Sequence, residues 1–280
     1  MQKIGLAMGG GGAKGLAHIP MLEVFEEFGL RPHRVAGTSI GAIIGALYCA
    51  GVSPNTMRET ITAYSLREGQ GLAQIFKRRD LLKWFSYIDI NWGGRTLLKA
   101  DAFLADLAEV LTHNDFEQLI TPLSVVAADF WAREQVVLKT GKLIDAVHAS
   151  MALPGLFRPA MINEQVLIDG GAVNPVPFDL LDDCDHIIAI NVMGTRTESA
   201  EMIPSMAEAV FNTFQIMQAS ILRHKIQHSP PDLLLTPDIV DIQMLEFYKA
   251  DTVFRQAENA AELLRRHLHK WLTEECERCP

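Results

Sequence analysis

The chain has 280 residues, 49% of them hydrophobic and 21% charged, which suits one large α/β domain with a sizeable buried core. A formal net charge of −9 removes the electrostatic footprint of a general nucleic-acid binder, and it sets the whole molecule against an anionic membrane, so any lipid contact has to be local. The four cysteines (Cys49, Cys184, Cys276 and Cys279) suggest no disulfide framework and read as reduced thiols in a cytosol.

Met1-Gln2-Lys3 leads straight into an apolar run, Ile4–Met8, that reads as a first strand. No charged n-region with a long apolar stretch precedes it, so a signal peptide is not expected, and no window is long and apolar enough to span a bilayer. Four glycines, Gly9 to Gly12, follow the strand. Leu16, Ile19, Leu22, Phe25 and Phe28 then recur at helical spacing, Pro20 sits about one turn inside, and Gly29 stops the helix. Arg34–Thr38 is a second strand and Ile40–Ala50 a second helix, whose Gly41, Ala42, Gly45 and Ala46 allow close approach to neighbours.

Further along, Leu123–Ala128 and Gln135–Lys139 form a predicted hairpin, and Leu143–Ala152 is helical up to Pro154. Val166–Asp169 is a strand stopped by Gly170-Gly171. His186–Val192 is apolar on both faces, as a central strand covered by helices should be, and Leu233–Thr236 is a last short strand. Strands alternating with helices predict a three-layer α/β/α sandwich with a largely parallel central sheet. The expected organisation is a single domain over 1–280, with a core over 1–195 and extra C-terminal helices over 200–280, around Ala207–His228 and Leu245–Glu275. The segment 65–99 interrupts the alternation.

Gly37-Thr38-Ser39-Ile40-Gly41 is G-x-S-x-G between a predicted strand and a predicted helix. A serine on so sharp a turn is strained and exposed, glycines two residues away relieve crowding, and the helix N-terminus adds positive potential. Gly10-Gly11-Gly12-Ala13-Lys14-Gly15 formally matches a dinucleotide fingerprint, but the second strand ends in Thr38-Ser39 and supplies no acid for a ribose. A P-loop fails as well, because Gly15 and not Ser or Thr follows Lys14. What remains is a loop whose N–H groups can turn toward an anion, which beside a nucleophilic serine is an acyl-transfer oxyanion. An activated serine also needs a base. Asp169 should sit exposed at a strand end, Asp129 occupies a similar position, and His18, His148 and His186 lie nearest the predicted core elements. His186 opens a strand and belongs at the opposite end from Ser39. On these residues alone a dyad and a triad both remain open.

Four segments in order resemble the patatin-like phospholipase family: GGGGAKG at Gly9–Gly15, GTSIG at Gly37–Gly41, ASMALPGLFRP at Ala149–Pro159 and DGG at Asp169–Gly171. The resemblance implies a modified α/β-hydrolase-like sandwich and a Ser–Asp dyad without histidine. Carried over, Ser39 is the nucleophile, Asp169 its base, and Gly10, Gly11 and Gly12 the oxyanion donors. Ala13, Lys14, Gly15, Gly37, Gly41, Gly170 and Gly171 complete the motifs, with Lys14 where the family often has arginine. The ASMALPGLFRP stretch is expected to be structural, its prolines and Phe157 shaping the wall behind the site. The family implies hydrolysis of lipid carboxylic esters, phospholipid or lysophospholipid, with no metal and no cofactor. A thioesterase or acyltransferase on the same dyad and a non-catalytic acyl-ligand binder are the alternatives. The compact arrangement resembles small cytosolic members, peripheral to the inner membrane surface at most.

Two further stretches bear on partners. Leu72–Ile88 mixes Trp84 and Phe85 with Lys77, Arg78, Arg79 and Lys83, the pattern of a lid or interfacial helix and equally of a packed helix with solvated basic residues. Met202, Met206, Met217, Phe211 and Phe214 give the Ala207–His228 region an adaptable apolar face for core packing, acyl-chain contact or homo-oligomer formation. Cys276-x-x-Cys279 lacks the further ligands of a zinc site.

Overall fold

The computed structural model describes residues 2–68, 100–111, 113–194 and 206–278. The basic aromatic stretch Leu72–Ile88 therefore lies outside the described residues, as do Met202 and Cys279.

The described strands are β1 (Ile4–Met8), β2 (Arg34–Thr38), β3 (Leu123–Asp129), β4 (Glu134–Leu138), β5 (Ala160–Ile162), β6 (Gln165–Asp169), β7 (His186–Ile190) and β8 (Leu233–Leu235). The helices are α1 (His18–Glu27), α2 (Ile40–Cys49), α3 (Pro54–Glu68), α4 (Ala100–Val110), α5 (Leu143–Met151), α6 (Met206–His228) and α7 (Ala250–Arg278). All strands join one sheet in the order β5-β6-β3-β2-β1-β7-β8, with β4 paired to β3. Pairings among β3, β2, β1, β7 and β8 are parallel, while β4, β6 and β5 enter antiparallel. The structure is thus the expected α/β layered fold with a mostly parallel sheet.

Alternation along the strands decides which helix covers which face. Leu6, Met8, Val35, Val125, Ile188 and Ile190 point to the larger core, packed against α1, α2, α5 and α7. Ala7, Ala36 and Ala189 face the other way, where Val176, Phe178, Leu181 and Leu222 of α6 cover them. The C-terminal helix α7 is part of the main core. Val253, Ala257, Ala261, Leu264 and Leu268 recur every three or four residues along one buried stripe. Its outer side is fastened by Arg265, which donates to both carboxylate oxygens of Glu27 at 2.7 and 2.9 Å. Arg58 of α3 pairs with Glu23 of α1 and lies over the Phe254 ring at 4.2 Å. Among the described residues no helix is long and apolar enough to cross a membrane.

Strand β5 was not anticipated. Asn163 and Glu164, with φ of 49° and 66°, make the two-residue turn that joins it to β6. A two-residue hairpin is usually announced by a glycine after the asparagine, and here glutamate stands in that place.

One register matters more than the rest. Residues 125 and 126 of β3 pair with both β2 and β4, and residues 127 to 129 pair with both β4 and β6. A strand has two edges, so β2 and β6 share the edge of β3 opposite β4. They meet head to head there: Thr38 pairs with Val126 and Asp169 with the next residue, Ala127.

Close packing at this junction explains Gly41. A Cβ there would lie 2.1 Å from the Met8 carbonyl oxygen, whereas one at Gly45, a turn later in α2, would meet Leu123, Val35 and Met8 at 3.4 to 3.6 Å. Gly41→Ala should therefore lose at least about 3 kcal/mol, the upper end of overpacking costs. Gly45→Ala should be neutral or stabilising by up to about 1 kcal/mol, the helix-interior preference for alanine. Chemical denaturation of the pair measures both, and equal losses would contradict the packing argument.

Candidate active site

Ser39 occupies the turn between β2 and α2 with φ of 55° and ψ of −122°. For a non-glycine residue such a backbone costs about 1–3 kcal/mol and persists only where neighbours hold it. The Ser39 N–H donates to Ser150 Oγ at 2.8 Å, and Ser150 Oγ donates to the Val126 carbonyl at 2.6 Å. Thr38 Oγ1 donates to the Asn174 carbonyl at 2.8 Å, and the Ser39 carbonyl accepts from Ala42 and Ile43 in the first turn of α2. A Cβ on Gly37 would come within 2.7 Å of the Gly41 carbonyl oxygen, so both glycines of the motif are required by crowding.

The other half arrives on β6. Ser39 Oγ donates to Asp169 Oδ2 at 2.7 Å, while Asp169 Oδ1 accepts the Gly171 N–H at 2.7 Å. The Asp169 N–H donates to the Ala152 carbonyl at 3.1 Å. Asp169 was expected to be exposed at its strand end. It is 3% exposed, because β6 continues the edge of β3 under α5 and the loop after it. Burial raises its carboxyl from 3.8 to about 6, against the opposing effect of the Ser39 and Gly171 hydrogen bonds. Gly170 and Gly171 allow the chain to turn here: a Cβ at Gly170 would lie 2.2 Å from the Val126 carbonyl oxygen, and one at Gly171 2.0 Å from the Gln218 side chain of α6.

The glycine loop flanks the serine, with the position of a Gly10 Cβ 3.3 Å from Ser39 Cβ. The Gly9 N–H donates to the Ile190 carbonyl and the Gly10 N–H to the Pro175 carbonyl, both at 3.0 Å. Gly10 is therefore beside Ser39 with its amide already engaged. Among the described residues the amides of Gly11 and Gly12 have no acceptor. Gly12 has φ of 59° and packs on the Met244 carbonyl, and the Ala13 N–H donates to that carbonyl at 2.7 Å. Lys14 is buried and its Nζ donates to the Met193 carbonyl at 2.6 Å, tying the loop to the chain after β7. Gly15 faces Ile40 at the start of α2.

None of the remaining candidates is hydrogen-bonded to Ser39 among the described residues. Asp129 accepts from the Trp131 and Ala132 N–H groups and from Gln165 Nε2, and the Ala132 bond above all holds its carboxyl below the usual range. His18 is fully buried and its Nε2 donates to the Gly9 carbonyl at 2.8 Å. That bond fixes the tautomer, and among the described residues Nδ1 has no hydrogen-bond partner. Burial lowers its pKa to about 4, so the ring is neutral. His148 Nε2 has no hydrogen-bond partner among the described residues. His186 pairs with Ile4 at the N-terminal end of the sheet, as its place in the sequence implied, and stacks on Trp271.

Two contributions were not read from the sequence. Ser150 lies in a stretch expected to be structural, and its place in the ASMALPGLFRP motif was the available signal. The second is a polar network behind the turn. Lys225 of α6 donates to Asn174 Oδ1, the Val176 carbonyl and Asp179, while Asn174 Nδ2 donates to Gln135 and Asp179. It anchors α6 to the loop whose Asn174 carbonyl holds Thr38.

A serine on a strand-to-helix turn of a mostly parallel sheet, with a buried carboxylate against it, defines the class: an α/β protein with a serine at a strained strand-to-helix elbow. The chain belongs to the patatin-like phospholipase family, whose model matches residues 6–182. An NTE family protein of Mycobacterium bovis is 29% identical over 200 residues, 71% of this chain and 51% of that protein. Lysophospholipase NTE1 of Cryptococcus neoformans is 31% identical over 180 residues, 64% of this chain and 10% of that one. The chain thus spans about half the length of the first of these relatives and a small part of the second. Among solved structures, VipD from Legionella pneumophila aligns with a TM-score of 0.48 at 14% identity, covering 93% of this chain and 67% of that one.

A buried carboxyl held at about 6 weakens the fold at neutral pH, where it must ionise, by about 3 kcal/mol. The penalty is full above the folded value, shrinks as pH falls through it, and is gone below 3.8, where the carboxyl is protonated in both folded and unfolded chains. Asp169→Asn should therefore be more stable than the parent at pH ~8 and match it at pH ~4. Denaturation midpoints of both proteins across that range check the sign, and a variant less stable at pH ~8 would refute it.

Proposed function

We propose that the protein hydrolyses carboxylic esters of lipids, of the phospholipid or lysophospholipid class, through an acyl-Ser39 intermediate with Asp169 as the only proton carrier. The observation that carries the reading is the 2.7 Å hydrogen bond from Ser39 Oγ to a buried carboxylate. Family membership and the names of relatives such as a lysophospholipase support the substrate class.

In the first half-reaction Ser39 Oγ attacks the ester carbonyl carbon and its proton passes to Asp169 Oδ2. The carbonyl oxygen becomes an oxyanion, met by the open Gly11 and Gly12 amides and by the positive end of α2. Gly10 contributes by position, since its own amide is bound to Pro175. As the tetrahedral intermediate collapses, the carbon–oxygen bond to the leaving alcohol breaks and Asp169 returns the proton to it. In the second half-reaction Asp169 takes a proton from water, the resulting hydroxide adds to the acyl carbon, and on collapse the bond to Ser39 Oγ breaks, Asp169 returns the proton to that oxygen, and the fatty acid is released. Lipid contact would be peripheral, at a cytoplasmic membrane surface.

Ser39→Ala and Asp169→Asn should each lower kcat/KM on a soluble ester by a factor of at least about 10³ with the fold intact, and Ser39→Ala should lose labelling by a fluorophosphonate. His186→Ala should keep activity. In the parent, kcat/KM should fall as pH drops below about 6, where Asp169 becomes protonated and can no longer accept the serine proton. An active Asp169→Asn alongside an inactive histidine variant would replace the dyad by a triad, and no labelling of the parent would leave only a binding protein.

A further inference from the structure

We propose that the turn Phe130–Trp131, together with Met161, is an insertion surface for an electrically neutral lipid interface, oriented so that the Ser39 end of the sheet faces the lipid. The inference rests on the lipid-ester reading above.

The patch is built by register. Phe130 follows the last residue of β3, and its N–H donates to the Val166 carbonyl at 2.8 Å, while Met161 of β5 pairs with Val166 across the next ladder. Phe130, Val166 and Met161 therefore lie side by side across three strands, with Trp131 at the tip. Trp131 is 74% exposed, Met161 66% and Phe130 46%. Large apolar side chains exposed singly need no explanation, but three adjoining ones at a turn do. The turn is rigid. Asp129 Oδ1 accepts two of its N–H groups at 2.9 Å, Gln165 holds the other carboxylate oxygen, and the two rings sit edge to face with centroids 4.8 Å apart. A preformed tip loses little conformational freedom on insertion.

Position and charge select the occupant. Thr38 is level with Val126, and Phe130 is four residues farther along the same strand, so the tip projects roughly 13 Å beyond the nucleophile strand on the end that carries Ser39. The exposed charged groups beside the turn in sequence are of both signs, Arg133 and Glu134, Glu164 lies in the β5–β6 turn, and Asp129 is already bonded within its own turn. Among the described residues no basic cluster adjoins the turn to seek anionic head groups, and the molecule's net charge of −9 opposes them. Tryptophan and phenylalanine favour the water–lipid boundary through apolar area and ring polarity, which salt does not screen.

The test is flotation with phosphatidylcholine vesicles at low and high salt, comparing the parent with Phe130→Ser/Trp131→Ser, alongside kcat/KM on a soluble short-chain ester. The parent should float equally at both salt concentrations, and the double variant should partition at least tenfold more weakly with unchanged turnover of the soluble ester. Equal flotation of the two proteins, no flotation of the parent, or flotation only with anionic vesicles that salt abolishes would overturn the proposal. So would sedimentation of the parent as a dimer and of the variant as a monomer, which would assign the patch to a second copy of this chain. Failure of the hydrolase reading is separable, because it appears as absent ester turnover in both proteins whatever their flotation.

Discussion

The site depends on one shared edge. Val126 and Ala127 are neighbours in β3, and on the same edge they pair with the last residue of β2 and the last residue of β6. Because those strands run toward each other, the two chain ends have to collide or turn away from the sheet. Both turn. β2 turns into α2 at Ser39, and β6 turns into a short 3₁₀ segment after Asp169. The side chains left at the junction are the hydroxyl and the carboxylate, 130 residues apart in sequence and 2.7 Å apart in space. The Val126 carbonyl, freed at this break in the ladder, accepts from Ser150 Oγ and so anchors the residue that holds the Ser39 N–H.

Such a junction is energetically unfavourable by itself. The Ser39 backbone costs about 1–3 kcal/mol and the ionised Asp169 about as much again. Both are offset by packing placed around them. The α1–α2–α5–α7 core on one face and the Phe178–Leu222 cluster on the other bury the neighbouring strands completely, with Met8, Val35, Ala36 and Ile190 inaccessible to solvent. Lys225 and Asn174 brace the turn from the α6 side, and His18 braces the glycine loop from the α1 side. With Gly9 fixed by His18 and Ile190 and Gly10 by Pro175, the first peptide units of that loop have little freedom, and among the described residues the next two amides have no acceptor.

The sequence made most of this scaffold legible because each strand ends in a chemical marker. The ranges Ile4–Met8 and Arg34–Thr38 are observed as expected, and Leu123–Asp129 and Gln165–Asp169 are one residue longer. Glycines beyond β1, β2 and β6 announced turns that steric crowding does require. What stayed illegible was the pairing. Nothing in the run Val166–Asp169 says that it lies antiparallel in a mostly parallel sheet, or that it shares an edge with β2, and burial of Asp169 follows from that pairing. Strand β5 is three residues long and its turn lacks the usual glycine, so local pattern could not reveal it. Ser150 reads as an ordinary helix residue until the fold places its hydroxyl between two backbone groups.

The same burial explains how a carboxylate could serve where an imidazole is more familiar. A proton carrier for a serine works best when its own affinity for protons is near the working pH. An ordinary aspartate, at 3.8, is too weak a base, and histidine starts close to the right range. Desolvation between β3, α5 and the Gly170–Ala172 turn raises Asp169 to about 6, close to the ordinary basicity of histidine. In the proposed dyad, the orienting role that a triad gives to its third residue would fall to a backbone amide, Gly171 N–H, bonded to the carboxylate oxygen that does not face Ser39. That bond lowers the carboxyl somewhat, so it trades basicity for orientation, and burial has to be nearly complete for the balance to remain near 6. A buried imidazole would not do instead. His18 shows the reason within this same fold: burial lowers a histidine to about 4, away from the working range, whereas burial moves an aspartate into it. In an enclosed site with a single proton carrier, desolvation therefore favours the acid over the imidazole.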